Sequence, residues 1–186
     1  MTANPEIYDM RLREIKRLGI AGFVTETNLD LDKIELMDNL AKWGYSWHHW
    51  AYKRYGAWTG DNPGLFFYDE NGPCQGSMDQ CLDTDKVRAY ARVYPQAIAG
   101  QVRYFHFDPV TRRAIFIYYP DAMVAASTVL AVPGWNYETG FEVSITPAKV
   151  VWRQNCCSLA ANATISLEVL QDYNGEEITV IITPIS

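Results

Sequence analysis

The hydrophobic pattern changes its period near residue 100. Before that point, apolar residues recur at the three- and four-residue spacing of a helix and alternate with short apolar runs that are typical of buried strands. A first helix is predicted to end at Gly19, ahead of a strand over residues 20–25. A second helix, with Met37 and Leu40 on its inward face, precedes a second strand over 45–52. The order helix, strand, helix, strand is typical of a parallel α/β sheet or barrel.

After residue 100 the apolar positions alternate with polar ones, as they do in half-buried strands. Short β-branched and aromatic runs lie between turn residues at 102–107, 113–119, 128–132, 141–146, 150–152, 165–170 and 177–183. Such closely spaced strands predict an antiparallel β-sandwich. Between the two regions we predict a loop over 53–83, rich in Gly, Asn, Asp and Pro, and then a helix that carries Tyr94 and closes at Pro95.

Composition limits the partners that the protein can have. The 186 residues are 48% hydrophobic, enough for a buried core, and carry a net charge of -6. Nucleic acids and anionic membranes need a concentrated positive surface, and the sequence has no Lys/Arg cluster, so we predict no nucleic-acid partner. No apolar run is long enough to cross a membrane, and the charged N-terminal region does not resemble a signal sequence. A peripheral lipid contact stays compatible with this composition.

The cysteines and histidines do not indicate a metal site. The four cysteines lack zinc-ribbon spacing, although Cys74 and Cys81 lie in a loop where a short disulfide is natural. Whether that bridge forms stays open, as does the state of Cys156 and Cys157. The adjacent residues His48 and His49 point to opposite faces of a strand and so cannot chelate one ion together. We therefore predict no metal site.

A carboxylate ends the first apolar strand, GFVTETN, at Glu26. In a (β/α)8 barrel the catalytic groups lie at the C-terminal ends of the strands, and Glu26 has such a position. The next strand, YSWHHWAYKR, supplies Trp47 and Trp50. Indole faces stack on sugar rings while a carboxylate attacks the anomeric carbon, so this combination predicts glycoside cleavage. In the alternative interpretation Glu26 caps a helix or pairs with a lysine, and the indoles fill the barrel.

Five segments resemble, in order, the C-terminal part of endoglycoceramidase-type enzymes of glycoside hydrolase family 5: GFVTETN, YSWHHWAYK, VRAYARVYPQAIAG, AIFIYYPD and TVLAVPGWNYETGFEVSITP. The resemblance implies an α/β plus β fold, with the last two strands of a (β/α)8 TIM barrel in residues 1–95 and an antiparallel β-sandwich in 96–186. It implies that Glu26 is the nucleophile and that Trp47 lines the cleavage subsite. Trp50 and Lys53 lie in the same motif and are assigned to substrate binding.

Two departures from the family pattern stand close to Glu26. The family usually has Phe-Gly after the nucleophile, where this chain has Thr27 and Asn28. His48 and His49 stand where less polar residues are common in the family. Neither departure removes the nucleophile.

The resemblance also implies a second glutamate, the acid/base, which follows an asparagine on an earlier barrel strand. No asparagine in this sequence is followed by glutamate. We therefore expect a fragment of a larger enzyme that is inactive alone. The intact enzyme would cleave the bond between oligosaccharide and ceramide in a glycosphingolipid, and would be secreted or lysosomal, although these residues carry no export signal.

A second function is also open, that of a non-catalytic β-sandwich that binds carbohydrate or lipid. Tyr118, Tyr119, Trp135 and Tyr137 are candidates for an aromatic binding patch on that sandwich. Aromatic residues in short strands more often belong to the core. Binding of glycans or liposomes by residues 96–186 alone would favour this function over catalysis.

Overall fold

The computed structural model of the protein describes residues 5–28, 34–42, 44–53, 64–69, 72–155 and 162–185. The chain divides into two compact units between Tyr90 and Ala91. The elements of the first unit are α1 (Pro5–Leu18), β1 (Gly22–Asn28), α2 (Ile34–Lys42), β2 (Tyr45–Trp50), β3 (Tyr68–Asp69), β4 (Gly72–Pro73), α3 (Met78–Cys81) and α4 (Thr84–Tyr90). Cys156 and Cys157 lie outside the described residues. No helix among the described residues is long and apolar enough to cross a bilayer.

The first unit contains the predicted order of helix, strand, helix and strand. α1 is followed by Gly19 at φ 65°, a backbone conformation that favours glycine at helix ends. β1 and β2 pair in parallel, with α2 between them in the chain. Met37 and Leu40 of α2 are buried, as their spacing predicts. Parallel strands need such a crossover connection because a tight turn cannot join them.

Gly22 allows the first elements to pack closely. A Cβ added there would lie 2.5 Å from the Tyr45 ring and 2.6 Å from Ile15 Cδ1. Contacts under 3.0 Å between such atoms do not occur without displacement of a neighbour. The side chains of α1 and β2 therefore reach the backbone of β1 only because residue 22 has no side chain.

In the region after β2, the structure shows whether the disulfide forms and differs from the prediction for the last helix. Cys74 and Cys81 form a disulfide, with their Cα atoms 5.5 Å apart. The helix predicted to run to Pro95 is wrong at its C-terminal end: α4 stops at Tyr90, and Tyr94–Ala97 forms the strand β5. Pro95 disfavours helical backbone at Tyr94 and lacks an N–H group, which suits an edge strand.

The second unit contains two antiparallel four-stranded sheets, ordered β10-β11-β8-β5 and β6-β7-β12-β9. All seven predicted strands are present, and β5, at one edge, is the additional one. Their bounds are β6 (Gly100–Phe107), β7 (Ala114–Pro120), β8 (Thr128–Val132), β9 (Phe141–Thr146), β10 (Val150–Asn155), β11 (Ala163–Val169) and β12 (Ile178–Pro184). Leu130 and Ile165 of one sheet and Phe116 and Ile178 of the other belong to one buried cluster, the arrangement of a β-sandwich.

The four candidate aromatic residues of the sandwich are divided between core and surface. Tyr118 and Tyr137 are buried, whereas Tyr119 and Trp135 are exposed. Burial raises the pKa of Tyr118 to about 12 and raises that of Tyr137 as well. The Tyr137 hydroxyl donates to the carbonyl oxygen of Arg112 at 2.7 Å. Two of the four residues therefore fill the core and are not available for a binding patch.

Candidate functional site

Glu26 lies in an irregularity of β1. Val24 is opposite Trp47 and Thr27 is opposite His49, so three steps along β1 correspond to two steps along β2. A bulge of this kind turns a side chain away from the regular alternation and is frequent beside active sites. Glu26 is exposed, whereas the next residue, Thr27, is buried. The bulge thus leaves a solvent-accessible carboxylate in the C-terminal half of β1.

The residue after Glu26 anchors this segment to the neighbouring strand. Thr27 Oγ1 lies 2.9 Å from His49 Nδ1 and donates to the carbonyl oxygen of His48 at 3.2 Å. Because a hydroxyl has one proton, donation to His48 leaves Oγ1 as the acceptor of a proton on His49 Nδ1. The imidazole ring also contacts Tyr90, with ring centroids 4.0 Å apart, and Trp47, at 4.6 Å.

The two tryptophans lie on opposite faces of β2, as their spacing predicts. Tyr45, Trp47 and His49 are half-buried and alternate with exposed residues. Trp47 contacts the His49 ring, so its indole belongs to the inner face. Trp50 is the last residue of β2, opposite Asn28 at the end of β1, and is 40% exposed. The peptide bond after Trp50 is cis. Trp50 is therefore the more accessible of the two indoles and lies at the strand end.

Lys53, three residues after β2, contacts Gly64 and Phe66. Its backbone forms a bridge with Gly64, and its Nζ lies 4.7 Å from the centroid of the Phe66 ring. Tyr52 contacts the same ring edge-on at 5.3 Å. The described contacts of Lys53 are thus with Phe66 and Gly64, and they hold the ammonium group over an aromatic face.

His49 is the site residue that the sequence did not indicate. The alternation in YSWHHW places it on the face of Trp47, but its bond to Thr27 depends on the bulged register between two strands. His48 points to the exposed face, where its ring contacts Phe23 at 5.1 Å. No group of three or more His, Cys, Asp or Glu residues within the described ranges is arranged to hold a metal ion.

Comparison with known proteins relates this arrangement to a family. Residues 92–182 match the family model of the glycoside hydrolase family 5 C-terminal domain. The predicted resemblance to the C-terminal part of an endoglycoceramidase-type enzyme is confirmed. Over 159 residues the chain is 29% identical to an endoglycoceramidase of Cyanea nozakii, covering 79% of this chain and 30% of that protein. For an endoglycoceramidase of Hydra vulgaris the identity is 27% over 146 residues, covering 75% and 26%.

Solved structures extend the likeness to the fold of both units. Endo-glycoceramidase II from Rhodococcus sp., in an iminocyclitol complex, matches with a TM-score of 0.63 and 14% identity over 94% of this chain and 36% of that chain. Its ganglioside GM3 complex matches with a TM-score of 0.58 and 20% identity over 90% and 32%. Sterylglucosidase 1 of Cryptococcus neoformans matches at 0.56 and 16% over 80% and 23%. Residues 92–182 and the residues before them thus resemble the fold of an endoglycoceramidase, over about a third of that enzyme's length.

Proposed function

We propose that this chain supplies the nucleophile-bearing part of a retaining glycoside hydrolase of the endoglycoceramidase type. The bond it helps to cleave joins the oligosaccharide to ceramide in a glycosphingolipid. The observation that carries the proposal is the exposed carboxylate of Glu26, in a bulge beside a parallel strand that ends in an exposed indole. The similarity to curated endoglycoceramidases supports the substrate class.

In this proposal β1 and β2 are the last two strands of a (β/α)8 barrel. Their parallel pairing and the intervening helix α2 support this assignment. The C-terminal ends of barrel strands form the mouth where catalysis occurs. Glu26 and Trp50 both lie in the C-terminal halves of their strands, which suits residues that face a substrate.

The proposed chemistry assigns one role to each residue. The Glu26 carboxylate attacks the anomeric carbon and forms a glycosyl ester, while the bond to the ceramide oxygen breaks and an acid/base carboxyl group protonates that oxygen. Water then hydrolyses the ester and releases the oligosaccharide. Trp47 and Trp50 are assigned to substrate binding, but they lie on opposite faces of β2, so one of them stacks directly on a sugar ring, and the greater exposure of Trp50 favours it. Lys53 contributes to substrate binding, and carboxylate chemistry of this kind uses no cofactor.

A retaining mechanism also needs an acid/base carboxyl group about 5 to 5.5 Å from the nucleophile. No Asn-Glu pair of the kind that the resemblance requires occurs in these 186 residues. We assign the acid/base to a segment outside them and expect the 186-residue chain alone to be inactive. A secreted or lysosomal location of the intact enzyme is part of the proposal, and the disulfide between Cys74 and Cys81 supports an oxidising compartment.

A chimera tests the nucleophile. The 186 residues would be joined to the part of the Cyanea nozakii enzyme that precedes the matched region and treated with a 2-deoxy-2-fluoro glycoside that has a dinitrophenolate leaving group. Such a leaving group needs no protonation, so labelling reports the nucleophile alone. We expect mass spectrometry to find the sugar on Glu26, no labelling of Glu26→Gln, and normal labelling of the exposed control Glu142→Gln. Labelling at another carboxylate, or ganglioside hydrolysis by the isolated chain that Glu26→Gln abolishes, would contradict the proposal.

A further inference from the structure

The loop between β7 and β8, residues 121–127, exposes apolar side chains at its tip. Met123 is 90% exposed, Val124 is 43% exposed, and the neighbouring alanines are exposed as well. The loop sequence, DAMVAAS, contains no lysine or arginine. Single exposed apolar residues are ordinary on protein surfaces, but an uninterrupted apolar run at a loop tip indicates an interaction site.

The loop is held in shape by its own hydrogen bonds. The backbone N–H of Met123 donates to Asp121 Oδ1 at 2.9 Å, and the N–H of Val124 donates to the Asp121 carbonyl at 3.0 Å. The N–H of Ala126 donates to the Val124 carbonyl at 2.8 Å. These peptide groups already have partners, so the tip can leave water without exposing them unpaired to an apolar phase.

A cavity of about 470 Å³ lies beside the tip, between this loop and the end of β11. Its described lining includes Asp121, Glu168, Leu170 and Tyr173, and contains two carboxylates but no lysine or arginine. Glu168 has Arg153 as an ion-pair partner at 3.7 Å. The surface around the tip is thus neutral to acidic, which opposes binding to anionic lipids.

We infer that this loop is the contact of the sandwich with a lipid surface of phosphocholine headgroups. Met123 and Val124 enter the boundary between headgroups and acyl chains. The cavity accommodates the trimethylammonium end of a headgroup beside the Asp121 carboxylate and the Tyr173 ring, the kind of partners that quaternary ammonium groups find in proteins. The inference goes beyond the proposed glycosidase chemistry and does not require Glu26.

Vesicle binding by the full 186-residue chain tests the inference. We expect the chain to sediment with phosphatidylcholine vesicles, and this binding to persist when the salt concentration is raised, because apolar insertion is not screened. Met123→Ser should weaken the partition about tenfold, since it removes a large apolar side chain from the contact. The matched control is Val110→Ser, because Val110 is 87% exposed beyond the opposite end of β7 and is followed by the polar residues Thr111 and Arg112.

A second pair of variants reports insertion directly. Tryptophan at position 123, in Met123→Trp, should be quenched by brominated phosphatidylcholine, whereas tryptophan at position 110, in Val110→Trp, should not. Equal vesicle binding by the wild type and Met123→Ser, no binding to phosphatidylcholine, or salt-sensitive binding confined to phosphatidylglycerol vesicles would each overturn the inference. Because no readout involves hydrolysis, failure here is distinguishable from failure of the proposed function.

Discussion

Thr27 and His49 join the C-terminal ends of β1 and β2 through a bond of 2.9 Å between Oγ1 and Nδ1. Both residues stand at positions where the family resemblance implies less polar side chains. Two departures that look independent in the sequence therefore form one polar pair in the structure. The pair fixes the residue that follows Glu26, while Glu26 itself stays exposed.

Replacement of this pair should loosen the strand end. Thr27→Val keeps the shape of the side chain but removes the bonds to His49 and to the His48 carbonyl. We expect a loss of about 1–3 kcal/mol in the free energy of unfolding, because buried groups lose their partners. Urea denaturation and amide hydrogen exchange of β1 would measure it, with the exposed Thr25→Val as control. A loss of unfolding free energy no larger than that of the control would show that the Thr27–His49 pair does not stabilise the fold.

The close approach at Gly22 predicts a steric effect. In Gly22→Ala the new methyl group would lie 2.5 Å from the Tyr45 ring, so the ring or Ile15 has to move. Overpacking of this kind typically costs about 1–3 kcal/mol. The midpoint of urea denaturation should fall accordingly, whereas Ser46→Ala, at an exposed position of β2, should leave it unchanged. An unchanged midpoint in Gly22→Ala would mean that the packing of α1 and β2 against β1 is loose.

The core of the sandwich should be sensitive to truncation. Leu130 is fully buried in the cluster that both sheets share. Leu130→Ala should lower the free energy of unfolding by about 2–5 kcal/mol, through lost burial and the cavity left behind. Val151→Ala, at a position 41% exposed on β10, is the matched control and should cost far less. Equal effects of the two variants would contradict the assignment of the core.

Asp108 should make the stability depend on pH. The Thr111 hydroxyl, at 2.7 Å, and the N–H groups of Val110 and Thr111 lower the pKa of this carboxyl group. The native state therefore binds fewer protons than the unfolded state between the two pKa values. The contribution of Asp108 to the free energy of unfolding is complete above the ordinary aspartate pKa of about 3.9. It is lost as the pH falls through the lower pKa of the folded state.

Carboxyl NMR titration would check the effect. Thr111→Val should raise the pKa of Asp108 toward its ordinary value and reduce the acid dependence of stability, because the hydrogen bond from the Thr111 hydroxyl is lost. The exposed control Thr183→Val should change neither quantity. A pKa of Asp108 that is unaltered in Thr111→Val would contradict the assigned cause.

The sequence by itself determined the parts of this protein that depend on local periodicity. Alternation of apolar residues located seven strands of the sandwich, and the spacing of Met37 and Leu40 gave the buried face of α2. Five segments, from the motif around Glu26 to the strands of the sandwich, carry the family resemblance, which the comparisons confirm. These features follow from residues that are close in the chain, where backbone geometry fixes which side chains share a face.

Only the tertiary structure decided features that depend on pairing between distant residues. Residues 94–97 form a strand because β8 offers them an edge, which outweighs the helical pattern that precedes them. The bulge at Glu26 and the bond between Thr27 and His49 depend on the register of β1 against β2. The division of the aromatic residues depends on which side of β7 faces the opposite sheet. Register is set by the packing of whole strands, so no local pattern specifies it.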